Sequence, residues 1–88
     1  MKTFNSIRKQ SPLFIVIASN GNNPQIIQFT VEKVYQSSDD KVVIKLPNGV
    51  KAKFNPNLSM THLESNNYTQ YIFTERAKAE EFYLSLKK

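Results

Sequence analysis

The stretch KVVIKLPNGVKAKF, Lys41 to Phe54, constrains this chain more than any other. Apolar residues alternate on both sides of Pro47-Asn48-Gly49: Val42, Ile44 and Leu46 before it, Val50, Ala52 and Phe54 after it. A period of two marks each run as a strand with one buried face. Loop length decides how the two runs pair. A two-residue Asn-Gly loop would set Leu46 opposite Lys51 and send the two apolar sets to different faces. A three-residue loop pairs Leu46 with Val50, Ile44 with Ala52 and Val42 with Phe54. Pro47 and Gly49 suit that loop, as the first central position of a type I turn and the left-handed bulge residue after it. The register then places Lys45 opposite Lys51 and Val43 opposite Lys53, with Lys41 near the end of the same face. Like charges facing each other oppose pairing by roughly a few tenths of a kcal/mol or more. A face studded this way points to a polyanion.

Eighty-eight residues support one small domain with a single modest core. Six Phe and four Tyr argue for a folded chain, and only two Gly and four Pro argue against disorder. A net charge of +5 favours nucleic acid, an anionic membrane or an acidic protein as partner. The absence of cysteine excludes disulfides and thiolate metal sites, and it fits a reducing compartment. Lys2, Arg8 and Lys9 followed by the apolar run Leu13–Ala18 mimic a short secretory signal. That run is shorter than the roughly seven to fifteen residues such signals use, and Pro12 stands at its start. The same residues serve as a buried strand, so the expected location is the cytoplasm. No run approaches the roughly twenty residues of a membrane span.

Residues 1–11 form a basic lead-in, extended or a single helical turn, which Phe4 and Ile7 can pin to the core. Leu13–Ser19 is apolar on both faces and β-branched, as in a central strand covered on both sides. Asn20-Gly21-Asn22-Asn23-Pro24 is a dense turn signal. Gln25–Tyr35 reads as one strand with Ile27, Phe29 and Val31 inward, and its pattern shifts near Lys33-Val34, where a bulge or bend is expected. Asn55–Asn67 reads as an irregular segment anchored by Leu58, Met60 and Leu63. Tyr68–Phe73 is a further strand, and Thr74 is the expected N-cap of a helix to residue 87. Ala79, Phe82, Tyr83 and Leu86 make its apolar stripe, with Arg76 and Glu80 pairing on the wet side. These elements describe a mainly β, α+β domain. Five antiparallel strands form a strongly bent sheet over residues 12–73, a small barrel of SH3-like or OB-like kind, with the C-terminal helix covering an open end or a face. A flat meander crossed by the helix is the alternative.

Catalysis is not expected. His62 is the sole histidine, with Glu64 two residues on, and two such ligands cannot hold a metal alone. The acidic residues are scattered, and Asp39-Asp40 sits where turns favour Asp. Neither a phosphate-binding glycine loop nor a nucleophile elbow is present, and no cofactor is implied. Between Lys41 and Leu63 there are four lysines and no acid. Lys41, Lys45, Lys51 and Lys53 would neutralise phosphates, with Arg8 and Lys9 as outer contacts. Tyr68 and Tyr71 lie on opposite faces of their strand, so one is core and the other, Tyr68, is a stacking platform. The plain alternative is that the lysines only guard an edge strand against aggregation.

The ending YIFTERAKAEEFYLSLKK, through its stretch Tyr71–Leu86, resembles the endings of small early proteins of T4-like phages, where a strand closes into a Thr-Glu-led helix rich in Ala, Glu and Phe or Tyr. The resemblance implies an accessory protein that binds a host or phage macromolecule. The expected function is therefore binding of RNA or single-stranded DNA in the host cytoplasm. The alternative is an inhibitor or adaptor that docks on an acidic host protein through a sheet edge or the 55–67 segment. Open strand edges also make a homodimer an expectation.

Overall fold

The computed structural model describes residues 3–19, 23–37, 39–47, 49–64 and 66–87. The centre of the turn signal at residues 20–22, and Asn48 of the hairpin loop, lie outside them. After a 3₁₀ turn at Phe4–Ser6 come β1 (Pro12–Ser19), β2 (Gln25–Thr30), β3 (Lys33–Gln36), β4 (Val42–Lys45), β5 (Lys51–Phe54), β6 (Met60–Glu64), β7 (Tyr68–Phe73) and α1 (Arg76–Leu86). They build two antiparallel sheets, ordered β2-β1-β7-β6 and β3-β4-β5.

Strand β1 is central and covered on both faces, as its continuous apolar run requires. Leu13 and Ile15 point to the core between the sheets, with Val42, Ile44, Phe54 and Ile72. Phe14 and Val16 point the other way, to a second core under the helix with Phe73 and Ala79. Alternation along one strand thus serves two layers.

The expected single strand Gln25–Tyr35 is two strands, one in each sheet, broken at Val31-Glu32 rather than at Lys33-Val34. The backbone explains the position. The Val31 N–H donates to the Ser11 carbonyl at 2.8 Å, and the Val31 carbonyl accepts from Gln10 N–H at 2.8 Å. The Glu32 N–H then donates to the Lys45 carbonyl at 2.9 Å. Val31 is claimed by the lead-in and Glu32 by the second sheet, so the chain leaves the first sheet there.

The expected five-stranded barrel is corrected as well: among the described residues seven strands form two sheets that do not close. Closure would need β5 to pair on toward β6. Pro56 has no N–H to donate, and its carbonyl accepts from Asn5 N–H at 3.1 Å, while Leu58 carbonyl accepts from Phe4 N–H at 2.8 Å. Phe4, fully buried, stacks on Phe54 with centroids 4.4 Å apart. The lead-in fills the gap a closed barrel would seal with strand pairing.

Within the expected irregular segment 55–67 lies β6, an edge strand in register with β7 from Met60↔Phe73 to Glu64↔Thr69. Met60, His62, Leu63 and Glu64 are all exposed. With neither face buried, β6 needs no alternation, and backbone pairing alone holds it in register.

The helix begins at Arg76, with Glu75 rather than Thr74 at the N-cap position and no side-chain cap there. Thr74 is buried, and its N–H (3.0 Å) and hydroxyl (3.2 Å) both donate to the Ser59 carbonyl, which ties the end of β7 to the start of β6. Phe82 and Tyr83 pack with Ala79 against the first sheet, whereas Leu86 is exposed. The Arg76–Glu80 pair forms at 3.5 Å. Among the described residues no helix is long and apolar enough to cross a membrane.

Candidate functional site: the lysine face of the second sheet

The hairpin forms as its alternation requires. Leu46 N–H donates to Val50 carbonyl at 2.9 Å, Gly49 N–H donates to Leu46 carbonyl at 3.0 Å, and Gly49 has φ +86°. Pairing runs Val42↔Phe54, Val43↔Lys53, Ile44↔Ala52 and Lys45↔Lys51. Val50, nominally on the apolar side, is exposed at the hairpin tip.

Strand β3 extends this face. It pairs with β4 as Lys33↔Lys45, Val34↔Ile44 and Tyr35↔Val43. Val34, Ile44 and Ala52 face the core between the sheets. Alternation therefore turns Lys33, Tyr35, Val43, Lys45, Lys51 and Lys53 outward. Two rows cross the three strands: Lys33–Lys45–Lys51, and beside it Tyr35–Val43–Lys53. The Tyr35 ring lies 5.0 Å from the Lys33 ammonium and 5.4 Å from that of Lys51, measured to the ring centroid. Each ammonium is within cation–π reach of the aromatic ring.

Carboxylates from the flanking turns also reach the face. Glu32 lies 3.5 Å from Lys45 Nζ, and Asp39 lies 3.3 Å from Lys53 Nζ. The Asp39 carboxyl accepts from the Ser37 hydroxyl and from Lys53, which hold its pKa below the ordinary carboxylate value of 3.8. The acid-free span from Lys41 to Leu63 is acid-free only along the chain; in space, two of its lysines are paired. Repulsion among facing lysines is offset by Glu32, Asp39 and the Tyr35 ring.

The other expected contacts separate. Lys41 is partly buried just before β4, its carbonyl accepting from Ser37 N–H at 3.0 Å. Arg8 directs its guanidinium to the carbonyls of Asn5 (2.8 Å) and Ile7 (3.1 Å), within its own segment. Lys9 is exposed on the lead-in. Tyr68 belongs to the first sheet and Tyr71 packs under the helix, so Tyr68 is not a platform within the lysine rows. Lys33 and Tyr35 are the residues that sequence reasoning missed. In an unbroken strand they would continue the inward set Ile27, Phe29, Val31; the break at Val31-Glu32 reverses their phase. The phase shift at Lys33-Val34 was the available signal.

His62 stands at the outer edge of the first sheet, 6.1 Å from the Tyr71 ring. Among the described residues no three His, Asp or Glu side chains gather as a metal site. No protein-family model matches the chain, and comparisons with curated proteins and with solved structures returned no match.

Proposed function

We propose that the chain binds single-stranded nucleic acid, RNA or DNA, across the outer face of β3-β4-β5. The observation that carries this reading is the lysine row Lys33–Lys45–Lys51 with the Tyr35 ring within cation–π reach of two of its ammonium groups. Lysines at strand spacing can follow a phosphate backbone, and an aromatic ring among them offers a base a surface for stacking. An unpaired strand uses both features; a duplex keeps its bases stacked inside. The net charge of +5 adds long-range attraction. The likeness of Tyr71–Leu86 to early proteins of T4-like phages fits an accessory factor working in the host cytoplasm.

Fluorescence anisotropy with a labelled single-stranded oligonucleotide tests the reading. Log affinity should fall linearly with log salt, by about 0.7 per neutralised phosphate. Lys45→Gln with Lys51→Gln should weaken binding to all sequences alike and flatten that slope, because phosphate contacts position without specifying. Lys78→Gln with Lys87→Gln removes the same charge from the helix and should do little. Equal losses from both pairs would reduce the face to ordinary surface charge.

A second reading rests on the edge strand β6, where Met60 and Leu63 are exposed beside an exposed Leu58. An extended segment of an acidic host protein, or a second copy of this chain, could add to that edge through main-chain hydrogen bonds. It becomes the better account if neither lysine pair affects oligonucleotide binding.

A further inference from the structure

The two sheets differ in length, and the difference leaves a shelf. Strand β1 has eight residues, whereas β3, β4 and β5 have four each. The second sheet therefore covers only part of the inner face of the first. Under the cover that face is apolar: Leu13, Ile15 and Ile72. Beyond it the same face changes character. Register places Ile17 between Gln25 and Gln70, and Ser19 opposite Tyr68. These residues, with Asn23 and Asn67, line an open cleft of about 860 Å³.

We propose that this cleft takes an unpaired nucleobase; the proposal rests on the single-strand reading above and deepens it with a second contact on the same molecule. Among the described residues the lining holds no Lys, Arg, Asp, Glu or His, which favours an uncharged group over a phosphate. Each Asn and Gln amide presents a donor and an acceptor together, the pattern that matches the edges of a base. Ser19, Asn23, Gln25, Asn67, Tyr68 and Gln70 together bring hydroxyl and amide groups to the one cleft. Ile17 supplies an apolar floor, and Tyr68, 39% exposed, an aromatic wall. Apolar surface with a few convergent polar groups is the make-up of a small-molecule site, and stacking with edge hydrogen bonds is how unpaired bases are held.

Uncharged nucleosides separate this site from the lysine face. Adenosine, guanosine, cytidine and uridine, titrated into the ¹⁵N-labelled full chain in 1 M salt, should saturably shift the amides of Ile17, Gln25, Tyr68 and Gln70. Tyr68→Leu should weaken that titration about tenfold by loss of stacking. Gln70→Leu should weaken it too and change the preference among bases. Lys45→Gln with Lys51→Gln should leave it unchanged. Salt-sensitive oligonucleotide binding without saturable nucleoside shifts would overturn the cleft and spare the lysine face. Nucleoside shifts without salt-sensitive oligonucleotide binding would overturn the lysine face and spare the cleft. Maltose, a neutral sugar rich in the same hydrogen-bonding groups, should give no shifts; shifts with maltose equal to those with nucleosides would overturn the base assignment.

Discussion

Gly49 shows how a single residue sets a register. Its φ of +86° lies where a Cβ is disfavoured, yet a Cβ built there meets nothing within 4 Å. The cost of Gly49→Val is therefore backbone strain alone, about 1–2 kcal/mol, read as a lower urea midpoint with unchanged slope. A loss much larger than this would mean that the hairpin had changed register. Asp39 gives the pH prediction at the same scale. Its folded pKa is lowered by the Ser37 hydroxyl and then by Lys53. A lowered value means that its contribution to stability is complete above the ordinary 3.8 and is lost as pH falls through the folded value. Ser37→Ala should raise the Asp39 titration, followed by carboxyl NMR, toward 3.8. An unmoved titration would leave Lys53 and the local backbone N–H as the causes.

Among the elements, β3 decides what the second sheet can do. Without it the outer face of the hairpin would carry facing lysines and no aromatic; with it, Tyr35 stands among them. Tyr35→Ala should cost about 1–3 kcal/mol of oligonucleotide affinity, the worth of one stacked base, and leave the salt slope unchanged. A changed slope would mean that Tyr35 acts by arranging lysines rather than by stacking. The same element explains why the lysines need not destabilise the sheet. Lys45 pairs with Glu32 at the start of β3, and an exposed pair of this kind contributes about 0–1 kcal/mol. Relief of repulsion between Lys45 and Lys51 is of similar size and opposite sign. The double Gln variant should therefore melt near the parent temperature, so that any binding loss is not a folding loss.

At the scale of the whole molecule, the lead-in is structural. Phe4 and Ile7 are buried, and Phe4 stacks on Phe54 where the barrel fails to close. Phe4→Ala should cost about 3–5 kcal/mol in urea unfolding, the loss typical of a buried aromatic. It should also speed hydrogen exchange at Phe4 and Asn5, whose amides bond to the 55–59 segment. A loss below about 1 kcal/mol would show the lead-in to be surface decoration. Arg8 lies in this segment with its guanidinium on local carbonyls.

Short-range rules determined a good deal of this protein. Alternation fixed the faces and the register of β4-β5, sterics required the positive φ at Gly49, and the continuous apolar run marked β1 as covered on both sides. The stripe Ala79-Phe82-Tyr83 placed the helix against a sheet. Tertiary structure alone decided where β2 ends, because that depends on which distant backbone takes the hydrogen bonds of Val31. That break reverses the phase of Lys33 and Tyr35 and brings both onto the lysine face. It also decided that Glu32 and Asp39 neutralise lysines from outside the hairpin. Finally, it set two sheets of unequal length face to face, which buries Ile15 and leaves Gln25, Tyr68 and Gln70 on an open shelf of that same sheet. Side-chain alternation is a property of one strand, whereas cover and charge pairing depend on segments far apart along the chain, and no local pattern specifies them.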